Sequence, residues 1–137
     1  IFDFYLKNTK YVNNWDLVDL TAPNILGNYL LNRNKDILYK LAKSNNLWEK
    51  RISIISTYTF IKNNNFQDTL EISKILLKDS HDLIHKAVGW MLREVGKKNL
   101  QAELNFLNKY CKEMSRTSLR YAVEKFDEEK RKYYLNK

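Results

Sequence analysis

Asp82-Leu83-Ile84-His85-Lys86-Ala87-Val88-Gly89-Trp90-Met91-Leu92-Arg93-Glu94-Val95 is the stretch on which the reading of the fold turns. Its apolar residues Ile84, Val88, Met91 and Val95 recur at spacings of three and four, which puts them on one stripe of an α-helix. The stretch also has faint echoes on both sides. His85-Lys86-Ala87-Val88 aligns with Arg120-Tyr121-Ala122-Val123 at an offset of 35, and Trp48-Glu49-Lys50 aligns with Ile84-His85-Lys86 at 36. Helices are therefore expected to begin near residues 47, 82 and 115, with others near 66 and 100 between them. Each such helix pair would bury its apolar face against the next pair, the logic of a short α-solenoid.

The rest of the chain supports an all-α reading. Short polar breaks stand at Asn32-Arg33-Asn34, Ser44-Asn45-Asn46, Asn63-Asn64-Asn65, Lys78-Asp79-Ser80, Lys97-Lys98-Asn99 and Glu113-Met114-Ser115. Between them lie the helical series Trp48, Ile52, Ile55, Thr59 and Leu70, Ile72, Ile75, Leu76. Asp79, Ser80, Asn99, Ser115 and Asp127 each precede a helical stretch and can cap its free N–H groups. Glu128 and Glu129 then put negative charge in a first turn, where the helix dipole favours it.

The composition narrows the function classes. With 137 residues, 44% of them hydrophobic, the chain can bury the core of one domain, spanning 1–137. Three Gly and one Pro are too few for a turn-rich β-sandwich or a doubly wound sheet. No glycine-rich phosphate loop is present, which argues against a P-loop or dinucleotide-binding enzyme. The single Cys111 cannot form an internal disulfide and suits a reducing cytoplasm. No apolar run approaches the roughly 20 residues that span a bilayer. The opening Ile1-Phe2-Asp3-Phe4 reads as an internal start, so the chain is expected to be the N-terminally truncated, C-terminal portion of a longer protein.

A net charge of +8 suits a polyanionic partner, but 18 Lys against 6 Arg, together with 16 Asn, is also what AT-rich coding produces. Arg51, Lys86 and Arg120 fall at nearly equivalent repeat positions and would form a basic column able to track a phosphate backbone. Chance coincidence of cations on Lys-rich helices is the competing explanation. If Asn13-Asn14-Trp15-Asp16-Leu17-Val18-Asp19 is helical, Trp15 and Asp19 lie one turn apart on one face, a receptor for something cationic. A core Trp beside a solvated Asp is the commoner meaning of that spacing. Gly89 in mid-helix implies close packing or the approach of a ligand, and the same two readings apply to Trp90 beside it. His81 and His85 mimic a zinc spacing without a third ligand, so no metal is expected; nor is Cys111 expected to act as a nucleophile.

Four stretches together resemble the bacterial AlkD-type DNA alkylation repair glycosylases: residues 13–19, Leu47-Trp48-Glu49-Lys50-Arg51-Ile52-Ser53-Ile54, residues 86–94 and Ser115–Phe126. The resemblance runs over nearly the whole chain, in order. It implies a short right-handed α-solenoid of HEAT-like helix pairs that cradles duplex DNA. It further implies excision of cationic alkylpurines such as 3-methyladenine and 7-methylguanine, with no metal, nucleotide or other small-molecule cofactor and no membrane. Trp15 and Trp90 match the family's active-site tryptophans, Asp19 its catalytic aspartate, and Arg51 an arginine that holds the DNA backbone near the lesion. Lys50, Lys86, Arg93, Arg116 and Arg120 are expected to contact DNA alongside Arg51. Ser115 stands where many relatives have Pro, a neutral change at a helix start. The family's further N-terminal helices, one of which brings an aromatic residue near the site, have no counterpart in these 137 residues, so activity of the chain alone is in doubt. A non-catalytic DNA-structure binder on the same scaffold is the runner-up, and a protein-binding scaffold the third reading.

Overall fold

The computed structural model describes Val18, Asp19 and residues 21–137; Trp15 and the rest of the 13–17 motif lie outside the described residues. Val18 and Asp19 are helical, and a wide-turned run over Ala22–Gly27 continues as α1 (Asn28–Leu30). There follow α2 (Asp36–Ala42), α3 (Leu47–Ile55), α4 (Tyr58–Lys62), α5 (Gln67–Leu76) and α6 (Asp82–Lys98). The chain then forms α7 (Leu100–Tyr110), a tight turn at Cys111–Glu113, α8 (Arg116–Ala122) and α9 (Glu128–Leu135). No strand occurs among the described residues. The expected period is present: α3, α6 and α8 begin at 47, 82 and 116, while α5 and α7 begin at 67 and 100.

Polar side chains set these starts except that of α5, which follows Phe66 without a side-chain cap. Asn46 Oδ1 accepts from the N–H groups of Trp48 and Glu49 at 2.8 and 3.0 Å. Asn99, Ser115 and Asp127 accept in the same way from Ala102, Ser118 and Lys130 at 3.1, 3.1 and 2.8 Å. One expected cap moves: at α6 it is His81, whose Nδ1 accepts from Leu83 N–H at 3.1 Å, not Asp79 or Ser80. Asp79 is occupied one step earlier, taking the His81 N–H at 2.9 Å. At the end of α4, Asn64 adopts φ 63°, a left-handed position that Asn tolerates better than most residues.

The helices form two layers. In one, α3, α6 and α8 pack side by side; in the other, α2, α5 and α7 lie behind them, α2 on α3 and both α5 and α7 on α6. The expected stripe Ile84, Val88, Met91 and Val95 is buried throughout, on a helix that packs against α3, α5, α7 and α8. Two expectations fail in detail. Ile75 is exposed because it sits about 120° round α5 from the middle of the buried face Thr69, Ile72, Ser73 and Leu76, at about 100° per residue. The series from Trp48 to Thr59 is not one helix either, since it breaks at Ser56-Thr57 between α3 and α4. There the Ser56 and Thr57 hydroxyls donate back to the carbonyls of Ile52 and Ile54, at 2.7 and 2.6 Å, which bends the path. Into the break fits the 22–27 run: Thr59 Oγ1 donates to Pro23 O at 2.7 Å, and a Cβ on Gly27 would come within 2.6 Å of Ser56 O.

Gly89 has the packing role. A Cβ there would meet Ser118 O and Tyr121 Cβ, both at 2.5 Å, so only glycine lets α6 and α8 approach this closely. Ser118 Oγ, donating to His85 O at 2.7 Å, ties the same two helices together. Gly96 does a similar service two turns further along α6, where the carboxyl of the buried Glu103 lies over it. Burial pushes the Glu103 carboxyl up to about 9, against the pull of the Arg93 charge.

Two outcomes follow from these contacts. Gly89→Ala gains helix propensity of about 1 kcal/mol yet forces two backbones apart, so urea unfolding should show a net loss of about 1–3 kcal/mol; a more stable variant would mean that the helices can separate freely. Glu103 holds its proton in the folded chain and loses it near 4.5 in the unfolded one, so its contribution to stability declines as pH rises from about 4.5 to about 9. Glu103→Gln should therefore match the parent near pH 4.5 and exceed it by about 1–3 kcal/mol near pH 8, as thermal melts at both pH values would show.

Candidate functional site

The guanidinium of Arg51 is nearly surrounded by protein, its side chain only 6% exposed. Arg51 lies on α3 and reaches two other segments. Nε and Nη2 donate to the two carboxylate oxygens of Asp19 at 3.1 and 3.0 Å, a fork-on-fork pair. Nη1 donates to the carbonyl of Leu83 in the first turn of α6. The Asp19 side chain remains 18% exposed, so the pair faces solvent through its acidic member. Expected as a clamp on a DNA backbone, Arg51 thus has all three of its nitrogens donating within the protein.

Beside it is an open cleft of about 370 Å³ lined by Arg51, Leu83, Lys86, Trp90, Arg93 and Tyr121. Arg51, Lys86 and Tyr121 are each 35 residues apart, so the cleft wall follows the repeat in strict register. Trp90 is half-buried and leans on Tyr58 with ring centroids 6.1 Å apart and planes tilted by 44°. Lys86 Nζ lies 3.4 Å from Asp82 Oδ2, and the side chain is 42% exposed, so the pair is loose enough for Lys86 to turn to another anion. Arg93 pairs with Glu124 across the same wall.

A second cleft, of about 330 Å³, opens on the other side of Tyr121 and is lined by Arg116, Arg120, Tyr121, Glu124, Arg131 and Leu135. The expected column of Arg51, Lys86 and Arg120 is therefore divided. Arg120 is one residue out of register and belongs to this second cleft, where Arg116, with Nη1 donating to Leu135 O, and Arg131 join it. Arg131 and Tyr121 had escaped the sequence reading. Tyr121 was findable as the exact repeat mate of Lys86, but Arg131 lies on α9, beyond any repeat position.

Lys50 is engaged elsewhere, its Nζ 2.5 Å from Asp79 Oδ2, with both side chains largely buried. Burial would push the Asp79 carboxyl up, but the hydrogen bonds from Lys50 and the His81 N–H and the Lys50 charge hold it below the ordinary carboxylate range. His85 Nε2 contacts the Asp79 carbonyl, so both imidazoles have partners within the α5–α6 junction. No helix among the described residues is long and apolar enough to cross a membrane.

The buried fork makes a sharp prediction. Arg51→Leu strands Asp19 and the Leu83 carbonyl, and should cost about 3 kcal/mol in chemical denaturation. Arg51→Lys should recover less than half of that, because one ammonium cannot reproduce two parallel bonds. Full recovery by Lys would show that the charge, not the fork, holds Asp19.

Comparison with known proteins gave one family. A family model described as DNA alkylation repair enzyme matches residues 1–126. Comparison with curated proteins gave no match.

Proposed function

The chain belongs to the DNA alkylation repair enzyme family, and from that premise we propose that it is a glycosylase releasing cationic alkylpurines, such as 3-methyladenine and 7-methylguanine, from duplex DNA. In this reading residues 1–137 work as a single domain of HEAT-like helix pairs, and duplex DNA with alkylated bases is its partner. The observation that carries the proposal is the bidentate hold of Arg51 on Asp19 beside the cleft that contains Trp90.

The chemistry asks little of a general acid. An alkylated purine already carries a positive charge, so the C1′–N bond can break with its electron pair going to the base, which leaves neutral. The positive charge passes to the sugar as an oxocarbenium-like centre, as in glycoside hydrolysis. A carboxylate fixed near that centre stabilises it, and can orient the water that adds to C1′ and gives up a proton. At about 4 Å and an effective dielectric of about 20, one such charge is worth about 4 kcal/mol. Its partial neutralisation by Arg51 brings the useful part to about 3 kcal/mol, or on the order of a hundredfold in rate.

Trp90 offers a π-face to the cationic nucleotide, and Trp15, outside the described residues, is assigned the same task by resemblance. Lys86, Arg116 and Arg120 are the cations best placed to meet phosphates. Arg93 lines the Trp90 cleft and can contribute by exchanging Glu124 for a phosphate. Arg51 acts through Asp19, and Lys50 through the α5–α6 junction; both are positioning residues in this reading.

A single assay tests the proposal: release of methylated purines from alkylated duplex by the chain, alone and extended at its N-terminus, beside the Asp19→Asn forms. Asp19→Asn should slow release by about a hundredfold while leaving duplex affinity within about threefold. Undiminished release by Asp19→Asn removes Asp19 from the chemistry. No release by any form, despite duplex binding that weakens steeply with salt, favours the non-catalytic DNA binder, which the second, arginine-lined cleft would suit without any carboxylate.

A further inference from the structure

Arg51, Lys86 and Tyr121 occupy one position in three successive repeats, and all three line the Trp90 cleft. Along that wall the side chain changes from a buried cation to an exposed cation to an exposed ring, Tyr121 being 37% accessible. One exposed aromatic is ordinary on a protein surface. The neighbours of this one are not. Lys86, loosely held by Asp82, shares the Trp90 cleft with it. Arg116, Arg120 and Arg131 share the second cleft, which Tyr121 also lines. Neither Arg120 nor Arg131 has an ion-pair or hydrogen-bond partner for its guanidinium among the described residues. Glu124, the carboxylate of that cleft, is paired with Arg93. The Tyr121 hydroxyl is also without a partner among the described residues. Its backbone, by contrast, is firmly placed: a Cβ on Gly89 would come within 2.5 Å of the Tyr121 Cβ, so the ring rises from a helix seated hard against α6.

We propose that Tyr121 is a DNA-contact residue, a ridge over which one strand of the duplex passes. Its ring lies against a deoxyribose, while phosphates on either side engage Lys86 in one cleft and Arg120 and Arg131 in the other. The inference rests on duplex DNA as the partner, as in the reading above, but not on base release. Cations alone would hold a strand without fixing its place, because attraction to a row of phosphates has no register and lets a protein slide. A ring between two cationic clefts meets what lies between two phosphates. In a stacked duplex that is the sugar, since the faces of the bases are hidden against one another. Tyrosine suits the task, because a rigid ring with two rotatable bonds gives contact area at little cost in conformational entropy. Such a contact releases no counterions, so it adds affinity without adding salt dependence. That separates the role of the ring from the role of the cations beside it.

The test is fluorescence anisotropy of a short, unmodified, dye-labelled duplex titrated with the chain at several salt concentrations. Tyr121→Ala should weaken binding by about fivefold or more at every salt concentration and leave the slope of log affinity against log salt unchanged. Tyr121→Phe should stay within about twofold of the parent, because the ring and not the hydroxyl makes the contact. The double variant Arg120→Gln/Arg131→Gln should instead flatten the slope by about 1–2. Ala keeps the Cβ that faces Gly89 and removes only the exposed ring. The Phe variant, which lacks a single oxygen, reads the ring on an undisturbed fold. Unchanged affinity in Tyr121→Ala, a flattened slope in that variant, a Phe variant as weak as the Ala one, or no duplex binding by the parent would each overturn the proposal. Because this duplex carries no alkylated base, failure to release bases would sink the glycosylase reading and leave these outcomes untouched.

Discussion

Three segments of the chain meet on one guanidinium. Arg51 comes from α3, the carboxylate it grips from the helical segment at Asp19, and the carbonyl it caps from the first turn of α6. Nothing apolar could hold those three at once, because hydrophobic contact is non-directional and leaves a carboxylate free to rotate. A guanidinium fixes the plane of the carboxylate as well as its distance. Removing such a charge from water is costly, and a buried ion pair is weak support for stability by itself. Its presence here is better understood as the cost of orientation: Asp19 keeps only a small part of its side chain exposed, held by an arginine that itself lines the cleft.

The cleft depends in turn on a steric constraint on α6. Because Gly89 admits the backbone of Ser118 and the Cβ of Tyr121, α8 lies deep against α6, and Tyr121 emerges directly beside Trp90. A side chain at 89 would lift α8 and with it Tyr121 and Arg120, which separate and line the two clefts. The same helix thus sets the Trp90 wall through Gly89 and, two turns further on, the seat of the Glu103 carboxyl through Gly96. Two glycines seven residues apart fall near the same face of an ideal helix, and the different neighbours they admit come from successive helices of the stack.

Much of this was legible in the sequence, and the failures have physical reasons. The period of about 35 residues gave the helix starts to within a residue, because capping side chains and apolar stripes both report local structure. Asp19, Arg51 and Trp90 were found as separate motifs and by resemblance, but their joining was not, since no spacing within one helix encodes a contact 32 residues away. The break at Ser56-Thr57 was missed because Ser and Thr continue a helical pattern in sequence while their hydroxyls bend it in space. Arg120 was assigned to the column because a one-residue slip looks harmless in an alignment. On a helix that slip turns a side chain by about 100°, enough to move it into the next cleft.

That slip also bears on how labour is divided among the cations. Arg51 gives three of its five N–H groups to a carboxylate and a carbonyl, so holding Asp19 is its first task and a phosphate would have to meet the two that remain. Lys86, Arg116, Arg120 and Arg131, which are more exposed, can engage phosphates at far lower cost, since their own pairings are loose or lie at one nitrogen. The two tasks are thereby separated in space. Fixed electrostatics sit at the junction of α3 and α6, and adaptable charge sits along α6, α8 and α9. Such a separation suits a reaction in which the group that stabilises a developing charge must not reorganise, while the groups that hold a polyanion must slide and re-form along it. The preorganised carboxylate draws on folding energy already spent at Arg51, which is why the most buried cation of the site is the one expected to matter most for the geometry and least for affinity.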